Sequence, residues 1–207
     1  MLRATCWTAG VLALLPMAAL AQPSVRRAGG CRPATHFIAE IAGGATTYGS
    51  GGLALESVFG YGGKLRGFPP RFYLIGELNY HTSAIDGTLP LSGRAYRDER
   101  SFADVGAGLR IYLPIVGPLR LLGDVTLGGS HIAAALRSRD QPLVRAEGWV
   151  PMWAVAGGAQ LRLFHHASIG ARVRAVLSED NLDALLAVTG DETPTRVTAT
   201  LGLTWHF

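Results

Sequence analysis

Lysine is almost absent from this 207-residue chain: Lys64 stands alone beside 18 arginines, and charged residues of all kinds make up only 16%. Soluble domains carry roughly a quarter charged residues. The formal net charge is +4 with no run of like charges, which excludes a charge-rich disordered chain and gives no footprint for nucleic-acid binding. Cysteine is equally scarce, with only Cys6 and Cys31. Cys6 falls in a leader expected to be removed, so Cys31 is left without an intrachain partner and no disulfide scaffold is expected. Beyond residue 34 no apolar run reaches the ~18 residues of a membrane helix. There is no P-loop, dinucleotide fingerprint or G-x-S-x-G, and the six His residues are scattered. Neither His165-His166 nor the pair His36 and Glu40 supplies the three or four converging ligands of a zinc site. No cofactor or metal is therefore expected. What the chain does have is 27 glycines and 48% hydrophobic residues.

Part of that hydrophobicity lies in residues 1–21, where Arg3 precedes an apolar segment ending in Ala19-Leu20-Ala21. A basic start, a short apolar core and an A-x-A ending read as a signal peptide cleaved after Ala21. Residues 22–34 read as a flexible periplasmic lead-in, and 35–207 as one domain.

That domain divides into eight segments of period-2 alternation or high β-propensity: 35–43, 52–62, 71–82, 102–113, 118–132, 149–163, 167–178 and 195–207. Each is bounded by Gly, Pro, Asp or Ser. In the last, Val197, Ala199, Leu201, Leu203, Trp205 and Phe207 share one face, opposite Thr198, Thr200, Gly202, Thr204 and His206. The polar faces of these segments carry Gly, Thr, Arg and isolated acids in place of the Lys and Glu of a soluble surface. The connections at 63–70, 114–117 and 164–166 are short, whereas 83–101, 133–148 and 179–194 are long and polar. An even strand count, one apolar face and alternating short and long links together predict an all-β, eight-stranded antiparallel up-and-down transmembrane β-barrel, apolar side out. Phe37, Phe59, Tyr61, Phe72, Tyr80, Phe102, Trp149, Trp153, Trp205 and Phe207 lie near strand ends and are expected in interfacial girdles.

The same phase turns Glu40, Glu56, Glu77, Asp104 and Asp124 inward, together with Arg110, Arg120, Arg162, Arg172 and Arg174. Unpaired charges in a narrow lumen are costly, so these ten are expected to form an ion-paired plug, with Tyr73, Asn79, Tyr112 and Gln160 filling in. Eight strands leave room for side chains and little else.

Residues 35–207 resemble the small eight-stranded outer-membrane barrels typified by the OmpA transmembrane domain and its OmpX-like relatives. The most specific match is the terminal strand Thr198-Ala-Thr-Leu-Gly-Leu-Thr-Trp-His-Phe207. The resemblance implies an outer-membrane location, contact with lipid and lipopolysaccharide, a monomeric state, and recognition of Trp205 and Phe207 by the barrel-assembly machinery. It does not choose an activity. A non-enzymatic structural or surface-interaction role through extracellular loops leads, with Arg94, Tyr96, Arg97, Asp98, Glu99 and Arg100 of the 83–101 link as the partner surface. Two alternatives are a lipid A deacylase, whose H-x-S element His81-Thr82-Ser83 superficially resembles, and a small gated pore.

Overall fold

The computed structural model describes residues 35–46, 52–64, 70–88, 93–138, 141–178 and 196–207. The leader, the lead-in with Cys31 and the 179–194 link lie outside the described residues. Eight strands are present: β1 (Thr35–Thr46), β2 (Gly52–Lys64), β3 (Arg71–Thr88), β4 (Ala95–Pro114), β5 (Leu119–Ser138), β6 (Gln141–Arg162), β7 (Ala167–Ser178) and β8 (Arg196–His206). Each pairs antiparallel with its sequence neighbours, and β8 pairs with β1 to close the barrel.

The register sets the shape. Stepping across hydrogen-bonded partners from His36 leads through Gly62, Tyr73, Arg110, Asp124, Ala156, Arg174 and Thr198 and arrives back on β1 at Thr46, ten residues from the start. Such a stagger tilts the strands by roughly 35–45° and leaves an interior that side chains can fill. The tight wrap requires glycine at the closing seam: a Cβ on Gly44 would sit 2.0 Å from the Ala199 carbonyl oxygen of β8. Gly117 adopts a φ of 54° in the β4–β5 turn, where Leu119 N–H donates to the Val116 carbonyl at 3.0 Å.

The two faces are sharply different. Outward residues include Leu74, Leu109, Val125, Leu127, Val173 and Leu201, with Leu127 66% and Leu201 67% exposed. Leaving a large aliphatic side chain in water forfeits about 1.5–3 kcal/mol, so a continuous band of them requires lipid as its solvent. Tyr80 and Trp149 border the band toward the long connections, while Trp153, the cross-strand partner of Leu127, lies within it. Phe37, Tyr61, Trp205 and Phe207 border it toward the short turns, all of them exposed. Phe102 departs furthest from the girdle expectation. It is 1% exposed and packs inside against Ile132, Ala134 and Val150, because it shares the inward phase of Asp104.

A second correction concerns the links at 83–101 and 133–148. They are mostly paired strand, with β3 and β4 in register out to Thr88 and Ala95, and β5 and β6 out to Ser138 and Gln141. Outside the bilayer neither face needs apolar residues, so pairing continues without the hydrophobic alternation that marks it in sequence. Cross-strand polar partners take over, as where Arg97 meets Asp86 at 3.8 Å.

Candidate functional site

Alternation aims the polar phase of every strand into the lumen, and the stagger brings side chains of distant strands to one height. The layer nearer the short turns centres on Arg110. Its Nε and Nη2 donate to the two Asp124 oxygens at 2.8 and 2.7 Å, and its Nη1 donates to Glu40 Oε2 at 2.7 Å and to the Tyr112 hydroxyl at 3.1 Å. Arg110 and Asp124 are direct cross-strand neighbours, which gives the parallel two-bond fork that guanidinium and carboxylate favour. Arg172 enters from β7 and donates to Glu56 at 2.5 Å and to Asp124 Oδ2 at 2.9 Å.

Three acids therefore share two arginines in this layer. Hydroxyl donors from β8 offset the imbalance: Thr198 and Thr200 donate to Glu56 at 2.9 and 3.0 Å, and Thr204 donates to Glu40 at 2.9 Å.

The next layer joins Arg174, which donates to Glu77 at 2.5 Å and to Asp104 at 3.1 Å, with Arg196, which reaches Asp104 Oδ1 and the Ser130 hydroxyl at 3.1 Å each. Ser130 itself donates to Asp104 at 2.6 Å and Thr126 to Glu77 at 2.8 Å. The Arg196 guanidinium lies over the Phe102 ring, 4.1 Å from its centroid. His81 Nε2 lies 3.3 Å from Asp104 Oδ2. Above this layer Arg100 donates to Asp98 at 2.7 Å.

Of the ten charged residues expected in the lumen, eight meet here: Glu40, Glu56, Glu77, Asp104, Asp124, Arg110, Arg172 and Arg174, none more than 5% exposed. Tyr73, Asn79, Tyr112 and Gln160 are buried with them. Arg120 and Arg162 do not join. They have the right phase but sit at the short-turn end, half-buried, and among the described residues neither has an acidic partner. Arg162 Nε donates instead to the Phe164 carbonyl at 3.1 Å, and its Nη2 to that of His165. Asp98, Arg100 and Arg196 are network members that sequence reasoning missed. Arg196 was within reach of it, since the inward phase of Thr198 and Thr200 extends one step further to residue 196.

The network is closed toward the short turns by apolar packing among Ile38, Val58, Tyr73, Ile75, Tyr112 and Leu122, with the two tyrosine rings edge to face at 5.5 Å. A cavity bounded by Glu40, Gln160, Arg172 and Thr204 has a volume of about 10 Å³, at the limit for one water molecule.

His81 and Ser83 are 2% and 7% exposed and share the inward phase, so they do not form the lipid-facing pair that the deacylase comparison requires. Tyr96, Asp98 and Arg100, expected on an exposed loop tip, are also inward and buried. Arg97 and Glu99 remain outside, 3.3 Å apart, with Arg137 3.5 Å from Glu99. Trp205 and Phe207 lie on the outer face beside the β8–β1 seam. There Phe207 N–H donates to the Phe37 carbonyl at 2.9 Å, and the two phenyl rings approach to 6.0 Å.

No protein-family profile matches the chain, and no curated protein sequence does. Solved structures do match. Neisserial surface protein A is 13% identical, with 84% of this chain and 97% of that chain covered at a TM-score of 0.51. A major outer membrane protein from Thermus thermophilus is 13% identical, with 84% and 100% covered at 0.55. The likeness is one of fold: the chain has the architecture of the small eight-stranded outer-membrane β-barrels.

Proposed function

We propose that this chain is an integral outer-membrane protein, exported by residues 1–21, that acts without enzymatic chemistry by presenting the β3–β6 wall at the cell surface. The observation that carries this reading is the unequal height of the barrel. β3 to β6 are 18, 20, 20 and 22 residues long, whereas β1, β2, β7 and β8 have 11 to 13. About 9–11 residues span the hydrocarbon, so the excess stands clear of the lipid as paired sheet. The lumen, by contrast, is filled with ion pairs, which speaks against a pore.

Outer-leaflet lipid and lipopolysaccharide are the proposed first partners of this wall. Tyr80, Ala103, His131 and Trp149 form one cross-strand row at the edge of the apolar band. Immediately above it is a hollow of about 850 Å³ whose floor is the cross-strand row Thr82, Ser101, Ala133 and Glu147, with Arg97, Glu99 and Arg145 around it. Three small floor side chains leave room, and the Arg97 and Arg145 guanidiniums beside the Glu99 and Glu147 carboxylates suit the phosphates and hydroxyls of a sugar-phosphate headgroup whose acyl chains run down the apolar wall. We assign to Trp205 and Phe207 the assembly signal, and to the protein a monomeric state.

Fractionation of cells followed by gel migration with and without heating tests the reading, combined with trypsin added to intact cells. A folded barrel in the outer membrane migrates faster unheated and is cut only near the β3–β4 and β5–β6 tips. A soluble periplasmic protein whose migration ignores heating overturns the proposal.

A further inference from the structure

Acidic side chains are missing from one whole end of this barrel. Residues 1–39, 57–76, 105–123, 148–178 and 193–207 contain no Asp or Glu, and these stretches include every strand end that meets a short turn. Bases are not missing there. By strand phase Lys64 of β2, Arg71 of β3, Arg120 of β5, Arg162 of β6 and His206 of β8 all point inward at this mouth. Lys64 and Arg71 are direct cross-strand partners, a like-charge pairing that destabilises a sheet unless something compensates it. Arg71 and Arg162 lie near Arg120, with the Tyr73 and Tyr112 side chains on its inner side, and the same three arginines and His36 surround the His206 ring. Among the described residues the side chains of Lys64, Arg71 and Arg120 make no hydrogen bond and no ion pair.

The acids of the lumen cannot serve them, because the apolar layer of Tyr73, Tyr112 and Leu122 lies between. Lipid headgroups are on the wrong side of the wall: the lipid-facing neighbours of Arg120 and Arg162 are Leu119, Leu121 and Leu161. A cluster of half-buried guanidiniums with unused donors, open only to the aqueous side, matches the oxygens of phosphate and carboxylate groups.

We propose that the short-turn mouth, which faces the periplasm in this class of barrel, is a binding site for a compact, multiply charged oxyanion carried by a soluble ligand, a phosphate or polycarboxylate group held between Arg71 and Arg120. Arg162 is turned toward the Phe164 and His165 carbonyls and contributes field more than contact. Lys64, exposed at the rim, draws the anion in.

The test uses the full-length processed protein folded in a maltoside detergent, which brings no phosphate of its own, at low ionic strength. Inorganic pyrophosphate and citrate serve as probes in isothermal titration calorimetry. One saturable site is expected for at least one probe, weakened about tenfold or more in Arg71→Gln and in Arg120→Gln, as loss of a charge-assisted hydrogen bond implies. It is expected unchanged in Arg97→Gln on the opposite end, and weaker as salt is added. Pyrophosphate or citrate should also raise the thermal unfolding midpoint of the wild-type protein, a readout independent of any variant. No saturable binding and no thermal shift with either probe, or equal weakening by Arg97→Gln, overturns the site.

Discussion

The middle of the lumen and its short-turn mouth are built from the same residue, arginine, in opposite ways. In the middle, Arg110, Arg172, Arg174 and Arg196 are each 4% exposed or less and each donates to a carboxylate. At the mouth Arg71 and Arg120 are half-buried, and the charged side chains near Arg120 are Arg71 and Arg162, with no carboxylate among the described residues beside it. An arginine is stabilising or destabilising according to what shares its depth. One apolar layer, Tyr73, Tyr112 and Leu122 with Ile38, is enough to keep the two populations apart.

The largest effect is expected where a buried pair is broken from one side. Arg110→Met leaves Asp124 and Glu40 without their main donor, and removal of one partner of a buried ion pair costs about 3–5 kcal/mol. Urea unfolding in detergent or lipid checks it, and a loss under about 1 kcal/mol would mean that water replaces the guanidinium at little cost. A smaller loss, about 1–3 kcal/mol, is expected for Glu56→Gln, because the amide oxygen still accepts from Thr198 and Thr200 while the ion pair to Arg172 is gone. Combining Arg172→Met with Glu56→Gln should cost less than the two single losses added, since each removes the other's orphaned partner.

At the mouth the sign reverses. Arg120→Gln is expected to leave stability unchanged or to raise it by a few tenths of a kcal/mol at low ionic strength, the difference fading as salt screens the repulsion. The smallest change belongs to Arg97→Ala, outside the barrel. Its partners Asp86 and Glu99 are 63% and 42% exposed, and exposed pairs contribute about 0–1 kcal/mol.

How much of this was legible in the sequence depends on what each signal encodes. The short-turn ends of the strands were placed within two residues, because Gly and Pro punctuate two of the three short turns (Gly67, Pro69 and Pro70; Pro114 and Gly117): the expected 52–62 and 167–178 became Gly52–Lys64 and Ala167–Ser178. The other ends of β3 to β6 were cut short by up to eight residues. Apolar alternation reports the bilayer, and beyond Tyr80 or Trp149 there is no bilayer to report.

Phase gave the angle at which a side chain leaves the strand, and so turned Glu40, Glu77 and Arg172 toward the side on which they are buried. It gave no depth. Arg120 and Arg162 share the phase of the network without sharing its height, and only the ten-residue stagger of the closed register separates them. Phe102 shows the reverse error, where nearness to a strand end was allowed to outweigh phase. The pairing itself, such as Glu56 of β2 with Arg172 of β7, joins strands three places apart around the ring and has no local signature at all.

The most direct measurement is a side-by-side urea unfolding of wild type, Arg110→Met and Arg120→Gln at low and high salt, in the same detergent. Compensation by depth requires Arg110→Met to lose at least about 2 kcal/mol at both salt concentrations, and Arg120→Gln to lose nothing and to gain at low salt. Comparable losses for the two variants would contradict it, because the mouth and the middle of the lumen would then hold their arginines in the same way.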